Sequence, residues 1–292
     1  MIPNNNLSVL PWYTSIEQQN ARKWWVYDRV YPLFTPAGFV LPFQILLPYN
    51  ADPEMTECVL FEAHTNAVID SGVKKKLDDT GFTFKQFSNF GYTIAVYAAN
   101  LPAFTAMDNG QYYMRMTING AYYYSEIFTV VNDISPYLKI EWWDVEDFVM
   151  DAGRIVYTDP AFKNRLYLQA DIAKPEYQFE EDVDQRDGYL YPVKQISEKR
   201  YRFSFLASEY LLDVMRFIRM SDYIVITKNG QKYKPDTFLI TPEWEPNGDV
   251  AAVDAEFDTA TVAKKIARGY VQQNGGDFNN DYSNDFHNQE IS

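Results

Sequence analysis

Asp277, Asn279, Asp281, Ser283 and Asp285 put an oxygen-bearing side chain at every second position, the spacing by which calcium loops aim alternate residues at one ion. A complete loop of the EF-hand type also needs Gly at its sixth place and Glu at its twelfth, where this chain has Tyr282 and Asn288. Asp277, Asn279 and Asp281 therefore form only part of a calcium set. The plainer reading is a solvated or partner-bound tail, with no metal expected.

Glu141, Asp144, Glu146 and Asp147 flank Trp142-Trp143, as a sugar-cleaving site would need. Such chemistry requires two carboxylates facing each other across the scissile bond at a defined separation, which closeness in sequence does not supply. Trp24-Trp25 and Trp142-Trp143 could offer rings for stacking on sugars. Neighbours in a strand point to opposite faces, so at most one of each pair serves a platform and the other belongs to a core. Burial is the expected role, with subunit contact next. His64 has no Ser or Cys arranged about it for a triad and reads as a turn histidine. Gly275-Gly276 is followed by neither a helix nor a lysine, and no phosphate-loop, dinucleotide, zinc-protease or paired-cysteine motif occurs.

The chain holds 6 Trp, 23 Tyr and 20 Phe against one Cys and two His. Aromatic side chains build sheets and interfaces, whereas His and Cys carry much of nucleophilic and metal chemistry. The expectation is a protein that packs and binds, not an enzyme, with no catalytic residues and no cofactor. A net charge of −14 would be repelled by a phosphate backbone, so nucleic-acid binding is not expected. Cys58 lies among Val59, Leu60 and Phe61 and reads as a small buried hydrophobe. The N-terminus lacks the basic start and apolar run of a signal peptide, and no apolar run approaches the roughly 20 residues that cross a bilayer. These features point to an unexported product of a reducing cytoplasm without membrane insertion.

With 292 residues, 47% of them hydrophobic, the chain can build two globular domains. Short strand-like runs separated by turn residues recur along it, including Thr83–Phe87, Tyr92–Ala98, Gln111–Ile118 and Tyr122–Val131. Asn119-Gly120 supplies the positive φ angles of a tight hairpin. A mainly β fold follows, with two antiparallel β-sandwich or barrel domains. Residues 1–20, polar with scattered aromatics, read as an N-terminal arm. Residues 21–134 form the first domain, and Asn132-Asp133-Ile134-Ser135-Pro136 marks the boundary. Residues 135–266 form the second, with the acidic patch Glu176 to Asp187 as an exposed loop or hairpin tip. Leu211, Leu212, Met215 and Ile218 recur at helical spacing behind Ser208, giving one accessory amphipathic helix near 208–220. Residues 267–292 read as an acidic C-terminal arm.

Three stretches carry a family resemblance. They are Arg22-Lys-Trp-Trp-Val-Tyr with Pro32-Leu-Phe-Thr-Pro-Ala-Gly-Phe, Leu212-Asp-Val-Met-Arg-Phe-Ile-Arg-Met-Ser-Asp, and Phe238-Leu-Ile-Thr-Pro-Glu-Trp-Glu-Pro-Asn-Gly-Asp. In these the chain resembles virion and tail structural proteins of tailed bacteriophages, including crAss-like phages and related prophages. The resemblance covers under a third of the chain and transfers no catalytic residue. It implies a ring- or tube-forming subunit of a tail, neck or baseplate, made in the host bacterial cytoplasm and placed in the virion. Its partners would be copies of itself and other virion proteins. Trp12, Tyr13, Tyr270, Phe278, Tyr282 and Phe286, all on the two arms, are the expected subunit-interface residues. The alternatives are a carbohydrate-binding module or adhesin, then a glycoside hydrolase.

Overall fold

The computed structural model describes residues 8–17, 33–98, 107–145, 148–151, 155–158, 162–186, 188–244, 250–259 and 263–266. The described chain is mainly β. Strands β1 (Trp12–Tyr13), β2 (Phe34–Pro36), β3 (Phe43–Pro48), β4 (Met55–Glu62) and β5 (Val68–Asp70) precede helix α1 (Val73–Thr80). Then come β6 (Thr83–Phe87), β7 (Tyr92–Tyr97), β8 (Gly110–Ile118), β9 (Ala121–Ser125), β10 (Phe128–Val131) and β11 (Leu138–Trp143). The run continues with β12 (Phe148–Asp151), β13 (Ile155–Thr158), β14 (Asn164–Leu168), β15 (Glu176–Arg186) and β16 (Tyr189–Ser208). Helix α2 (Glu209–Met215) leads to β17 (Tyr223–Lys228), β18 (Gln231–Tyr233), β19 (Pro235–Trp244), β20 (Val250–Thr259) and β21 (Ala263–Ile266). Among the described residues no helix is long and apolar enough to cross a membrane.

The chain divides into two compact units, one drawn from residues 1–174 and 201–257 and the other from 175–200 and 258–292. This division differs from the one drawn at residue 134. Asp133 accepts hydrogen bonds from the Ser135 N–H at 2.9 Å and the Ser135 hydroxyl at 2.6 Å, making a tight local turn. Phe34 packs on Tyr137 beyond that turn, ring centres 4.6 Å apart and planes tilted by 52°, and the polar pentapeptide lies inside the first unit. Polarity there reflects turn chemistry rather than a linker.

In the first unit, β1, β9, β8, β10 and β2 lie side by side, with β4 and β5 attached through β8. Asn119 and Gly120 have φ of 50° and 79°, the positive pair that closes the β8–β9 hairpin. Asn229 and Gly230 repeat that device between β17 and β18. The β10–β2 pairing is parallel, whereas the neighbouring pairings of β8 are antiparallel. Beside this sheet stand β3-β7-β6 and the four strands β14-β11-β17-β18. One buried cluster joins them, with Trp12 and Tyr97 both packed on Phe43 and with Phe203 and Tyr201 on Phe257. Cys58 is buried in that cluster; burial pushes its thiol far up, so it stays protonated and inert as a nucleophile.

Three features depart from expectation. Val9, Leu10, Trp12 and Tyr13 lie in the core, so the described part of the N-terminal arm is not an arm but an integral edge of the sheet. A second helix, α1, buries only Val73 and Leu77 and ends at Gly81 in the left-handed conformation. Its Lys74–Asp78 pair at 2.7 Å spans one turn on the solvated side. The acidic stretch 176–186 is not a loop: it is strand β15, one whole arm of a hairpin with β16 rather than the tip alone. Helix α2 starts after Ser208 as expected, and a 3₁₀ turn at Ile218–Met220 follows it.

The second unit holds β15 against the first part of β16 in an antiparallel ribbon from Glu176↔Arg200 to Arg186↔Tyr189. A bulge between Asp182 and Val183 offsets it. β21 pairs on the other side of β16, Ala263↔Ser197 to Ile266↔Lys194. Arg200 clasps Asp258 with Nε at 2.9 Å and Nη2 at 3.1 Å, a bidentate pair that closes the base of the ribbon.

Candidate functional site

Strand β11 alternates strictly. Leu138, Ile140 and Trp142 are buried, while Lys139, Glu141 and Trp143 stand half-buried on the opposite face. Strand register then builds three rows across that outer face. Lys139 lies between Tyr167 and Thr227, and Thr227 faces Lys232. Glu141 lies between Arg165 and Val225, and Trp143 faces Tyr223. Residues of α1, β6 and β7 form the facing wall, including Thr80, Gly81, Thr83 and Lys85. Between them is a cleft of about 790 Å³.

The cleft is basic in an acidic protein. Among the described residues Lys85, Lys139, Lys163, Arg165, Lys232 and Lys234 line it against the single carboxylate of Glu141. Glu141 is itself committed: Lys139 Nζ stands 2.8 Å away and Arg165 Nε 2.9 Å. Burial alone would raise its pKa, but the Lys139 and Arg165 hydrogen bonds outweigh that and hold the carboxyl below its ordinary range. The Arg165 side chain is only 3% exposed, so Glu141 is its necessary counter-charge. Burial also pushes the Tyr167 hydroxyl up to about 12, against the pull of Arg165, so it stays protonated. Lys163, Lys232 and Lys234 are exposed and have no carboxylate partner among the described residues.

Trp143 does not offer a bare plane. Tyr223 stacks on it with centroids 5.4 Å apart and planes 13° from parallel, and the Lys163 ammonium sits 4.4 Å from its ring centre. The pair therefore fixes the lysine at the rim. This arrangement can attract and orient negative charge through three ammonium groups on or beside the sheet that have no carboxylate partner among the described residues.

The carboxylates named from sequence do not converge. Glu141 is held in the ion triad, while Asp144 is buried and accepts the Asp222 N–H at 3.1 Å. Glu146 and Asp147 lie outside the described residues. His64 is exposed in a turn, where its N–H donates to Glu62. Among the described residues no three His, Cys, Asp or Glu side chains gather as metal ligands. The partial calcium set Asp277, Asn279 and Asp281 lies outside those residues, as do Trp24-Trp25 and the interface candidates Tyr270, Phe278, Tyr282 and Phe286.

The remaining two interface candidates need correction. Trp12 and Tyr13 are each 2% exposed; Trp12 packs on Phe43, and the Tyr13 hydroxyl donates to Glu126 Oε2 at 2.7 Å. Side chains spent on the chain's own core cannot stack on a neighbour. The cleft lysines, in contrast, did not stand out in the sequence. Their signal is Lys139-x-Glu141-x-Trp143, Lys163-x-Arg165 and Lys232-x-Lys234, charges two apart that share one face of a strand. No protein-family profile and no curated protein sequence matches the chain.

Proposed function

We propose that this chain is a structural subunit of a bacteriophage particle, building a ring or tube in the tail, neck or baseplate by association with copies of itself. The observation that carries this reading is strand β15. It is an 11-residue strand that, among the described residues, pairs on one side only, with β16. Tyr177, Phe179 and Val183 fall on one face by their spacing, along with Glu181 and Gln185, and are 59%, 72% and 46% exposed. The alternate positions are Glu176, Gln178, Glu180, Asp182, Asp184 and Arg186.

A long edge with unpaired backbone groups and exposed rings is what natural proteins blunt unless a partner completes it. The acidic composition of the segment and of the whole chain, with net charge −14, favours solubility of the free subunit. A β15 edge joining a different surface of the next copy is a heterologous contact, which closes into a ring or propagates as a tube. The resemblance of the three stretches to phage tail proteins supports a phage particle as the setting for such a subunit.

Mass photometry and sedimentation test this directly. The purified protein at about 10 µM forms a discrete oligomer, and Tyr177→Ser with Phe179→Ser weakens association by about tenfold or more. The circular-dichroism melt of that variant stays within about 2 °C of the parent, because both rings are solvent-exposed in the single chain. A parent protein that remains monomeric at that concentration overturns the reading.

A further inference from the structure

We propose that the basic cleft docks an acidic peptide and that its occupant is the C-terminal segment of a second copy of this chain, an inference that rests on the assembly reading above. Charge complementarity is the first argument. Six cationic side chains converge on the cleft of a chain with net charge −14, and three of them lack an acidic partner among the described residues. Beyond Arg268 the sequence has no Lys or Arg, but it carries Asp277, Asp281, Asp285 and Glu290.

The second argument is spacing. The segment carries the pattern Asp, aromatic, any residue, Asn three times: Asp277-Phe278-Asn279-Asn280, Asp281-Tyr282-Ser283-Asn284, and Asp285-Phe286-His287-Asn288. Drawn out, four residues reach about 13 Å, so successive carboxylates would fall at that pitch. The cations have a wider one. Lys163 immediately precedes β14, Lys232 lies on β18, and the sheet order β14-β11-β17-β18 puts three inter-strand steps between those strands. At roughly 4.8 Å per step that is about 14 Å across the strands. Lys163 belongs to the Trp143 row and Lys232 to the Lys139 row, about 13 Å apart along β11, so the two positions stand roughly 20 Å apart. Asp277 and Asp285, two repeats apart, reach up to about 26 Å and can thus meet both rims of the cleft with slack. Each repeat sets an aromatic residue directly after its Asp, and the row at the Lys163 rim holds Trp143 and Tyr223.

Exposed charge pairs of this kind are individually feeble. An assembled ring compensates, because a tethered segment faces its neighbour's cleft at an effective concentration of about a millimolar. The docking would therefore be conditional on assembly and sensitive to salt.

The test uses the full chain in two isotopic forms, unlabelled and ¹⁵N-labelled, mixed while dilute, concentrated together, and treated with a carbodiimide that joins carboxylate to amine. Mass spectrometry is expected to find Lys163, Lys232 or Lys234 joined to Asp277, Asp281 or Asp285 in mixed-label pairs. Their yield should fall several-fold between about 0.05 and 0.5 M salt. An intact oligomer without these links overturns the docking and leaves the assembly reading standing. Links confined to same-label pairs overturn it in favour of the chain's own tail, and links to other carboxylates assign the cleft to a different acidic surface. A monomer with no links removes both readings.

Discussion

Trp142→Ala lowers the melting temperature by roughly 10 °C, while Trp143→Ala lowers it by no more than about 3 °C. The two residues are adjacent and chemically identical, so intrinsic hydrophobicity cannot distinguish them. Strand alternation does. Trp142 points inward, is 2% exposed, and shares the cluster that contains Leu138, Ile140, Leu166 and Ile226. Truncating it removes a large apolar surface from a packed interior and leaves a cavity, at a cost of about 3 to 5 kcal/mol. Trp143 is half-buried, and the Tyr223 ring and Lys163 stem can settle into the space it leaves. Calorimetry of both variants decides the matter. Equal losses would mean that β11 does not alternate between core and cleft as described.

Glu141→Ala is expected to cost about 3 to 5 kcal/mol at neutral pH, measured as a lowered urea midpoint. The loss arises less from the missing attraction than from the Arg165 guanidinium, left buried with no counter-charge. Lys139 reaches the same carboxylate but is about a quarter exposed, so Lys139→Met should cost much less, under about 1 kcal/mol. The pH dependence has a definite sign. The folded carboxyl has a pKa below its ordinary value of 4.5, so the unfolded chain takes up a proton more readily than the folded one. Its contribution is therefore complete above about pH 4.5 and disappears as pH falls through the lower folded value. Denaturation in acid should narrow the gap between the parent and Glu141→Gln, and a gap that stays constant into strong acid would refute the assignment.

Local pattern carried much of the fold. Asn119-Gly120 specified a hairpin because two successive positive φ angles suit that turn, and Thr83–Phe87 and Gln111–Ile118 showed strand composition between clear stops. Helix α2 was legible from its spacing. Helix α1 was not, since only two buried positions give little periodicity to detect. In β15 the acidic side chains masked the alternation of Tyr177, Phe179 and Val183. Asn132–Pro136 has the composition of a linker but works as a turn, because side-chain hydrogen bonding suits both roles. The cleft was hidden for a different reason. Its cations come from β6, β11, β14 and β18 and meet only after cross-strand register is fixed, a long-range property that local spacing does not contain.

The placement of β1 and β2 has a consequence during synthesis. β1 pairs with β9 and β2 with β10, and the Tyr13–Glu126 hydrogen bond closes a separation of 113 residues. At about 5 to 20 residues per second, β1 waits roughly 6 to 20 s after its own synthesis for β9 to be made. Through that interval Trp12 can meet Phe43 but not the β9 edge, so Val9, Leu10 and Trp12 are incompletely sheltered, which makes the nascent chain a natural client for a holding chaperone.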